Sequence, residues 1–363
     1  MKRARVAMIG VGAISGIYLQ NMRDMFRNLE LVGVCDLVRE RADKAAADYG
    51  IARVYGDMHE AFADPGVDIV LNLTRPYEHF DVTMAALRAG KHVYSEKPLA
   101  AELAEGRLLA EEAKKRGLLL GGAPDTFLGA GIQTCRRLID GGFIGEPLGG
   151  AAFMICRGHE SWHPDPEFYY KRGGGPMLDM GPYYLTALVN LLGRVSEVTG
   201  AAKASFPERR ITSAPKYGET IRVDVPTWSN GILQFDSGAI ATIFTTFDVY
   251  YHNQARLEIY GSRGTLVAPD PNTFGGPVLL LRPEDGELRE IPLMFGNKGN
   301  SRGIGLSDMA ASMAGGGDFR ASSEQTLHVL EIMGKIVESG EAGRRLRTGT
   351  PYSRKAPLGE AGA

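Results

Sequence analysis

The sequence is poor in the features that commit a chain to a special environment. Its 363 residues include only 3 cysteines: Cys35, Cys135 and Cys156, an odd number set far apart, with no CxxC pair and no zinc-like spacing of Cys and His. A disulfide framework is thereby excluded, no metal site is expected, and reduced, mostly buried thiols in a cytoplasmic protein fit best. Neither sign of charge dominates, since 41 basic residues face 43 acidic ones. A nucleic-acid binder needs a basic excess or stripe, and the densest basic stretch, Arg344 to Arg347, is short. No segment is apolar for long enough to span a bilayer. Neither nucleic acid nor membrane is therefore an expected partner. Lys2, Arg3 and Arg5 ahead of the apolar run Val6 to Leu19 superficially suggest a signal peptide. Gly10, Gly12 and Gly16 interrupt that run, however, and no small-residue cleavage site follows. There is no internal repeat.

What remains is an ordinary globular composition, 44% hydrophobic and 23% charged, in a chain long enough for two domains and a cleft. The first third alternates β-branched runs with helical patterns, the rhythm of a parallel sheet covered by helices. Strands are expected at Arg5 to Ile9, Leu29 to Cys35, Asp68 to Leu73, His92 to Ser95 and Leu118 to Gly122, with helices at Arg39 to Tyr49 and Glu102 to Arg116. This defines an α/β Rossmann domain over residues 1–123. After a connecting helix, Leu128 to Asp140, strands follow strands: Leu148 to Cys156, Gly231 to Phe235, Ala239 to Thr246, Arg256 to Tyr260 and Gly264 to Val267. Asp236, Ser237 and Gly238 suit a hairpin turn. Residues 124–363 are therefore expected to form an α+β domain with a large open, mainly antiparallel sheet, a helix at Ser323 to Glu338 and an irregular tail.

Gly10, Val11, Gly12, Ala13, Ile14 and Ser15 form GxGxxS between the first strand and a helical run. The first glycine permits a tight turn, the second lets backbone approach a pyrophosphate, and the helix N-terminus supplies N–H groups. Asp36 closes the second strand, where a carboxylate can hold the adenosine ribose hydroxyls and repel a 2′-phosphate. NAD is thus expected over NADP, although Arg39 and Arg41 stand close enough to soften the preference. Capping of the next helix is the ordinary alternative for Asp36. Lys97 follows the strand His92 to Ser95, on the carboxyl edge where open α/β sheets bind ligands.

Gly90, Lys91, His92, Val93, Glu96, Lys97 and Pro98 resemble the AGKHVxxEKP signature of the Gfo/Idh/MocA family. Thr74, Arg75, Pro76 and His79 occur in family order before it, with Arg75 where a proline is common. Gly173 to Tyr183 resembles the family pattern GGGxLxDxGxH, with Asp179 matching and Tyr183 in place of the usual histidine. The resemblance implies a nicotinamide cofactor contacted by Gly10, Gly12, Ala13, Ile14, Asp36, Thr74, Arg75, Pro76, His79, Glu96 and Lys97. It also implies carbohydrate or polyol substrates, and a homodimer or homotetramer formed through the open sheet. Lys97, Asp179 and Tyr183 would be catalytic. A phenol titrates at about 10, and a neighbouring ammonium would favour its phenolate. Pro182 suits a first helical position, which would leave Asp179 in a loop.

His159, Trp162 and His163 are candidate substrate contacts, since aromatic and imidazole groups suit the C–H faces and hydroxyls of sugars. Lys171 and Arg172 are candidates for an anionic substrate group or for solvated surface, and Tyr250, Tyr251 and His252 could line the site from the sheet. The leading expectation is hydride transfer between a carbinol and nicotinamide, with Lys97 and Tyr183 handling the hydroxyl proton. An NAD-dependent glycoside hydrolase, which oxidises a sugar transiently, eliminates the aglycone and then reduces again, would use the same residues. A non-catalytic NAD-binding scaffold would not need both Lys97 and Asp179.

Overall fold

The computed structural model describes residues 3–359. Lys2 and the last four positions of the expected tail and second domain, 360–363, lie outside the described residues. The chain forms two compact units. One is built from the chain up to Leu128 together with Asn300–Leu327, the other from Gly129–Gly299 together with the chain from His328 onward.

In the first unit, β1 (Ala4–Ile9), α1 (Ser15–Asp24), β2 (Leu29–Cys35), α2 (Arg39–Tyr49), β3 (Arg53–Val54), α3 (Met58–Ala63), β4 (Ile69–Asn72), α4 (His79–Arg88), β5 (His92–Ser95), α5 (Leu103–Arg116) and β6 (Leu120–Gly122) alternate. The strands lie in the order β3-β2-β1-β4-β5-β6, every pair parallel. β4 is buried along its whole length, as a strand covered by helices on both faces should be. α5 opens with a capping box between Glu102 and Glu105 and closes at Gly117 in the left-handed conformation, so local sequence alone sets both its ends. Because the strand order reverses between β1 and β4, a crevice opens at their carboxyl ends.

The first unit departs from the continuous boundary expected at residue 123, because a later segment returns to it. The Asn21 side chain donates to the carbonyls of Asn300 and Arg302 at 2.8 and 2.9 Å. Asp125 Oδ2 accepts from the backbone of Gly303 and Gly305 at 2.8 and 3.1 Å, leading into α9 (Ile304–Gly315). Burial pushes the Asp125 carboxyl up to about 6.

The second unit holds α6 (Ala130–Asp140), β7 (Pro147–Ile155), α7 (Gly175–Asp179), α8 (Gly181–Leu192), β8 (Val195–Lys203), β9 (Glu208–Arg210), β10 (Thr220–Arg222), β11 (Trp228–Phe235), β12 (Ile240–Thr246), β13 (Leu257–Gly261), β14 (Gly264–Ala268), β15 (Val278–Leu281), β16 (Arg289–Ile291) and β17 (Leu346–Arg347). Helix α10 spans Ser323–Ala342. Among the described residues a nine-stranded sheet runs β16-β15-β14-β13-β7-β12-β11-β8-β17. It is mixed: β7 and β12 are parallel, and the other neighbours antiparallel. The expected hairpin joins β11 to β12, with Gly238 at φ 89°.

Helix α8 is buried on every side, which packs it between sheet and neighbours rather than at the surface. Glycines admit α10 to the same face. A Cβ at Gly200 would lie 2.2 Å from Ile336 O, and one at Gly231 would lie 2.8 Å from Ile336 Cδ1. By pleat alternation the opposite face carries Ile232 and Ile240, exposed by 50 and 53%, and Trp228 packed at a tilt against Phe244. The tail beyond residue 350 is irregular but tied down, with Leu358 N donating to Gln133 Oε1 and Arg354 to the Leu191 carbonyl, each at 2.9 Å. Cys35, Cys135 and Cys156 are free thiols. Burial raises the pKa of all three. Among the described residues no helix is long and apolar enough to cross a membrane.

Candidate active site

The glycine turn lies at the carboxyl end of β1. Gly10 has φ 95°, and a Cβ there would come within 2.7 Å of Leu73 O and 3.0 Å of Thr74 N. Close packing against the β4 loop thus requires glycine at this position. Gly12 is different: a Cβ there meets nothing within 4 Å, and Gly12 and Ala13 are exposed. Its backbone faces open space at the start of α1, a helix with no side-chain cap and no acidic residue in its first turn. Those features fit a dinucleotide pyrophosphate.

Asp36 sits immediately beyond β2, with Oδ2 accepting from Val11 N at 2.6 Å and Oδ1 from Val38 N at 2.8 Å. The carboxylate therefore braces the glycine turn itself, a tie that sequence spacing does not reveal. Arg39, the possible phosphate contact, forms a helical pair with Asp43 at 2.8 Å. Leu37 is 97% exposed directly beside Asp36, an apolar surface that sequence reasoning passed over.

Thr74, Arg75 and Pro76 follow β4. The Thr74 hydroxyl donates to Asn72 Oδ1 at 2.7 Å, and the buried Asn72 amide donates to Thr83 Oγ1 and the His79 carbonyl. His79, expected at the cofactor, is fully buried. Its ring nitrogens face the carbonyls of Pro98 at 2.7 Å and Thr74 at 3.0 Å. It ties the Thr74 loop to the Lys97–Pro98 segment, and burial lowers its pKa. Glu96 is likewise buried, accepting from Tyr18 Oη at 2.8 Å and from the Lys97 backbone at 3.0 Å. Both residues brace the Thr74 and Lys97 loops from within, because their polar atoms are turned inward. Lys97 is half-buried at the end of β5.

In the second unit Asp179 is the last residue of α7, not part of a loop, and Pro182 is the second residue of α8. Tyr183 follows, 7% exposed. The structure brings together two residues expected separately: His159 Nε2 lies 3.3 Å from Asp179 Oδ2. The His159 ring packs on Trp162, Tyr169 and Phe247 with centroids 5.3, 4.0 and 4.7 Å away. His163 packs edge-on against Trp162, Phe168 and Tyr169. Burial lowers the His163 pKa. Trp162 is 61% exposed, so this aromatic box has a wall open to solvent.

Lys171 forms an ion pair with Asp224 at 2.9 Å, so its charge already has a protein partner, and Arg172 is exposed. Tyr250 and Tyr251 are each 83% exposed, which sets them on the surface, and His252 is half-buried. Sequence reasoning missed Arg209, which is 4% exposed. Its guanidinium pairs with Glu160 at 2.7 Å and Asp248 at 2.6 Å and donates to the carbonyls of Arg157 and Phe247 at 2.7 and 2.8 Å. One buried cation thus fixes the loop carrying His159 and the strand end carrying Phe247.

Residues 4–122 match the family described as "Oxidoreductase family, NAD-binding Rossmann fold", and residues 132–267 match the "GFO/IDH/MocA C-terminal domain". The chain is accordingly an oxidoreductase with an NAD-binding Rossmann domain. More narrowly, it belongs to the Gfo/Idh/MocA family. It is 27% identical over 292 residues to myo-inositol 2-dehydrogenase of Thermotoga maritima, covering 80% of this chain and 82% of that protein. To D-glucoside 3-dehydrogenase of Escherichia coli it is 25% identical over 350 residues, covering 94% and 97%. The fold is that of levoglucosan dehydrogenase, solved with NADH and L-sorbose, at a TM-score of 0.82 and 21% identity over 97% of this chain and 100% of that one.

Proposed function

We propose that the protein exchanges hydride between NAD and a hydroxyl-bearing carbon of a sugar, glycoside or polyol. The observation that carries this reading is the Asp179–His159 pair set in an aromatic box whose Trp162 is open to solvent. Aromatic faces suit the C–H surface of a sugar, and the carboxylate of the pair suits its hydroxyls. The relatives named for inositol and glucoside oxidation support the same substrate class.

Gly12 and the open N-terminus of α1 would hold the pyrophosphate, and Asp36 the adenosine ribose hydroxyls, with exposed Leu37 against the adenine. This arrangement favours NAD over NADP, because a 2′-phosphate would meet the Asp36 carboxylate. NAD supplies the hydride acceptor. Lys97 hydrogen-bonds the reacting hydroxyl and takes part in moving its proton, Tyr183 carries that proton onward, and Asp179 holds a neighbouring hydroxyl. The apolar outer face of the sheet, with Trp228, Ile232, Ile240 and Phe244, is the surface through which a homodimer or homotetramer would form.

A panel of sugars, inositols and aryl glycosides incubated with NAD or NADP tests the reading. Formation of reduced nicotinamide and release of aglycone are followed together. Net reduction of NAD, faster than of NADP, is expected. Aglycone release without net reduction would replace the dehydrogenase with the hydrolase that uses the same residues.

A further inference from the structure

Asp179 is the last residue of a five-residue helix, and the His159 ring meets its carboxylate from outside that helix. A carboxylate that must hold one hydroxyl of a polyol needs an outside anchor. His159 is placed to be that anchor. It reaches Asp179 from the loop after β7, across the aromatic box, and both side chains are mostly buried, at 12% and 14% exposure.

The chemistry of the pair selects one form of the ring. An ionised carboxylate only accepts hydrogen bonds, so Nε2 must carry the hydrogen that joins the two. The other nitrogen, Nδ1, is buried and has no hydrogen-bond partner. A hydrogen there would be a buried donor with nothing to receive it, which is costly. The tautomer protonated on Nε2 donates to Asp179 and leaves Nδ1 a bare acceptor, which avoids a buried N–H with nothing to receive it.

The loop is also built to stay still. The His159 carbonyl accepts from His163 N at 3.0 Å. The next residue, Glu160, has its carboxylate clamped by Arg209 and Tyr170, and its carbonyl accepts from Thr212 N and Ser213 N at 2.8 and 3.0 Å. Titratable groups near the pair include Cys156, whose thiol is raised by burial with Asp179 adding to the effect, His163, lowered by burial, and the Glu160–Arg209–Tyr170 cluster.

We propose that His159 is the positioning residue for Asp179, donating from Nε2–H to fix the carboxylate in the orientation that receives a substrate hydroxyl. The inference rests on the sugar or polyol reading for its catalytic consequence, but not for the hydrogen bond itself. Two arms of one experiment keep these apart.

In the first arm, the full chain with isotopically labelled histidine is examined by nitrogen NMR, without substrate. Wild type should show His159 protonated on Nε2 alone, and Asp179→Asn should perturb that signal. A His159 protonated on Nδ1 would overturn the proposal. In the second arm, steady-state kinetics are measured for His159→Leu and His159→Gln, with NAD binding as the check on folding. His159→Leu should lose about tenfold or more in kcat/KM. It should also move the acid limb of the pH profile upward, since the carboxylate loses a hydrogen bond that favours its charged form. His159→Gln, which keeps an N–H donor near the same place, should restore much of the rate and of the limb's position. Unchanged kinetics in His159→Leu, or a Gln variant that binds NAD yet is no better than Leu, would also overturn it. A wild-type protein that passes the first arm but oxidises no carbinol would sink the functional reading and leave the pair standing.

Discussion

Alanine substitutions at Gly10 and Gly12, two residues apart in one turn, should have opposite consequences. At Gly10 an alanine must adopt φ 95°, and its Cβ would lie 2.7, 2.8 and 3.0 Å from Leu73 O, Leu73 C and Thr74 N. These are backbone atoms that cannot rotate away. The left-handed conformation costs about 1–2 kcal/mol and the overpacking about another 1–3 kcal/mol. Together these predict a loss of about 2–5 kcal/mol, and a fall in Tm of about 4–20 °C for a unit of this size. At Gly12 the added methyl meets nothing within 4 Å, so stability should stay within about 0.5 kcal/mol of wild type. The same methyl occupies the space through which the backbone would approach a pyrophosphate, and NAD affinity should fall about tenfold or more, or at least about 1.4 kcal/mol. Thermal unfolding without cofactor, paired with calorimetric NAD titration, reads both quantities. A Gly12→Ala protein that binds NAD like wild type would refute the assignment of the open turn. Equal destabilisation by both changes would refute the steric argument.

Lys97→Ala should leave the NAD dissociation constant nearly unchanged while turnover falls about 10²- to 10⁴-fold, whereas a parallel loss of NAD binding would mean a structural role. Tyr183→Phe keeps the ring of a residue that is 7% exposed and removes only the hydroxyl, so single-turnover reduction of NAD should slow far more than substrate affinity weakens. If oxidation proceeds normally but aglycone is retained, the tyrosine is instead an elimination base. The Asp125 carboxyl, pushed by burial from 3.8 to about 6, makes the folded state bind a proton more tightly than the unfolded chain. Its stabilising contribution is therefore complete below its unfolded pKa and is lost as pH rises through about 6, a swing of about 3 kcal/mol. Urea unfolding between about pH 4 and 7 should show that decline in wild type and a flatter profile in Asp125→Asn. Identical profiles would remove Asp125 as its source.

The first unit was legible because its signals are local. A β-branched run followed by Gly10 and Gly12 marks strand and turn, Asp36 ends the next strand, and Gly117 stops α5 through its own backbone conformation. Of helix α8 only the start was legible, through Pro182, since a helix buried on every side has no polar stripe to set a period. The return of Asn300–Leu327 to the first unit depends on Asn21 and Asp125 receiving or capping distant backbone, which neither residue's neighbourhood announces. The parallel pairing of β7 with β12 is equally non-local. At the site, residue types were legible and partnerships were not. Asp179 and His159 were each singled out, but their contact arises where a loop folds across the end of α7. His79 and Glu96 sit within recognisable motifs, yet their polar atoms turn inward to hold the Thr74 and Lys97 segments. Arg209 carries no motif at all, and only burial beside Glu160 and Asp248 reveals it.

The central claim is that hydride leaves a carbinol carbon of the substrate for the nicotinamide ring. Its most direct test uses a sugar or polyol accepted in the panel, carrying deuterium on the carbon that is oxidised, in a single turnover with NAD and Lys97 intact. The nicotinamide is then recovered and its ring examined by proton NMR. Deuterium is expected at C4 of the reduced ring, on one face only, with none released to water. Deuterium found in the solvent, or reduced nicotinamide formed without it, would contradict the account.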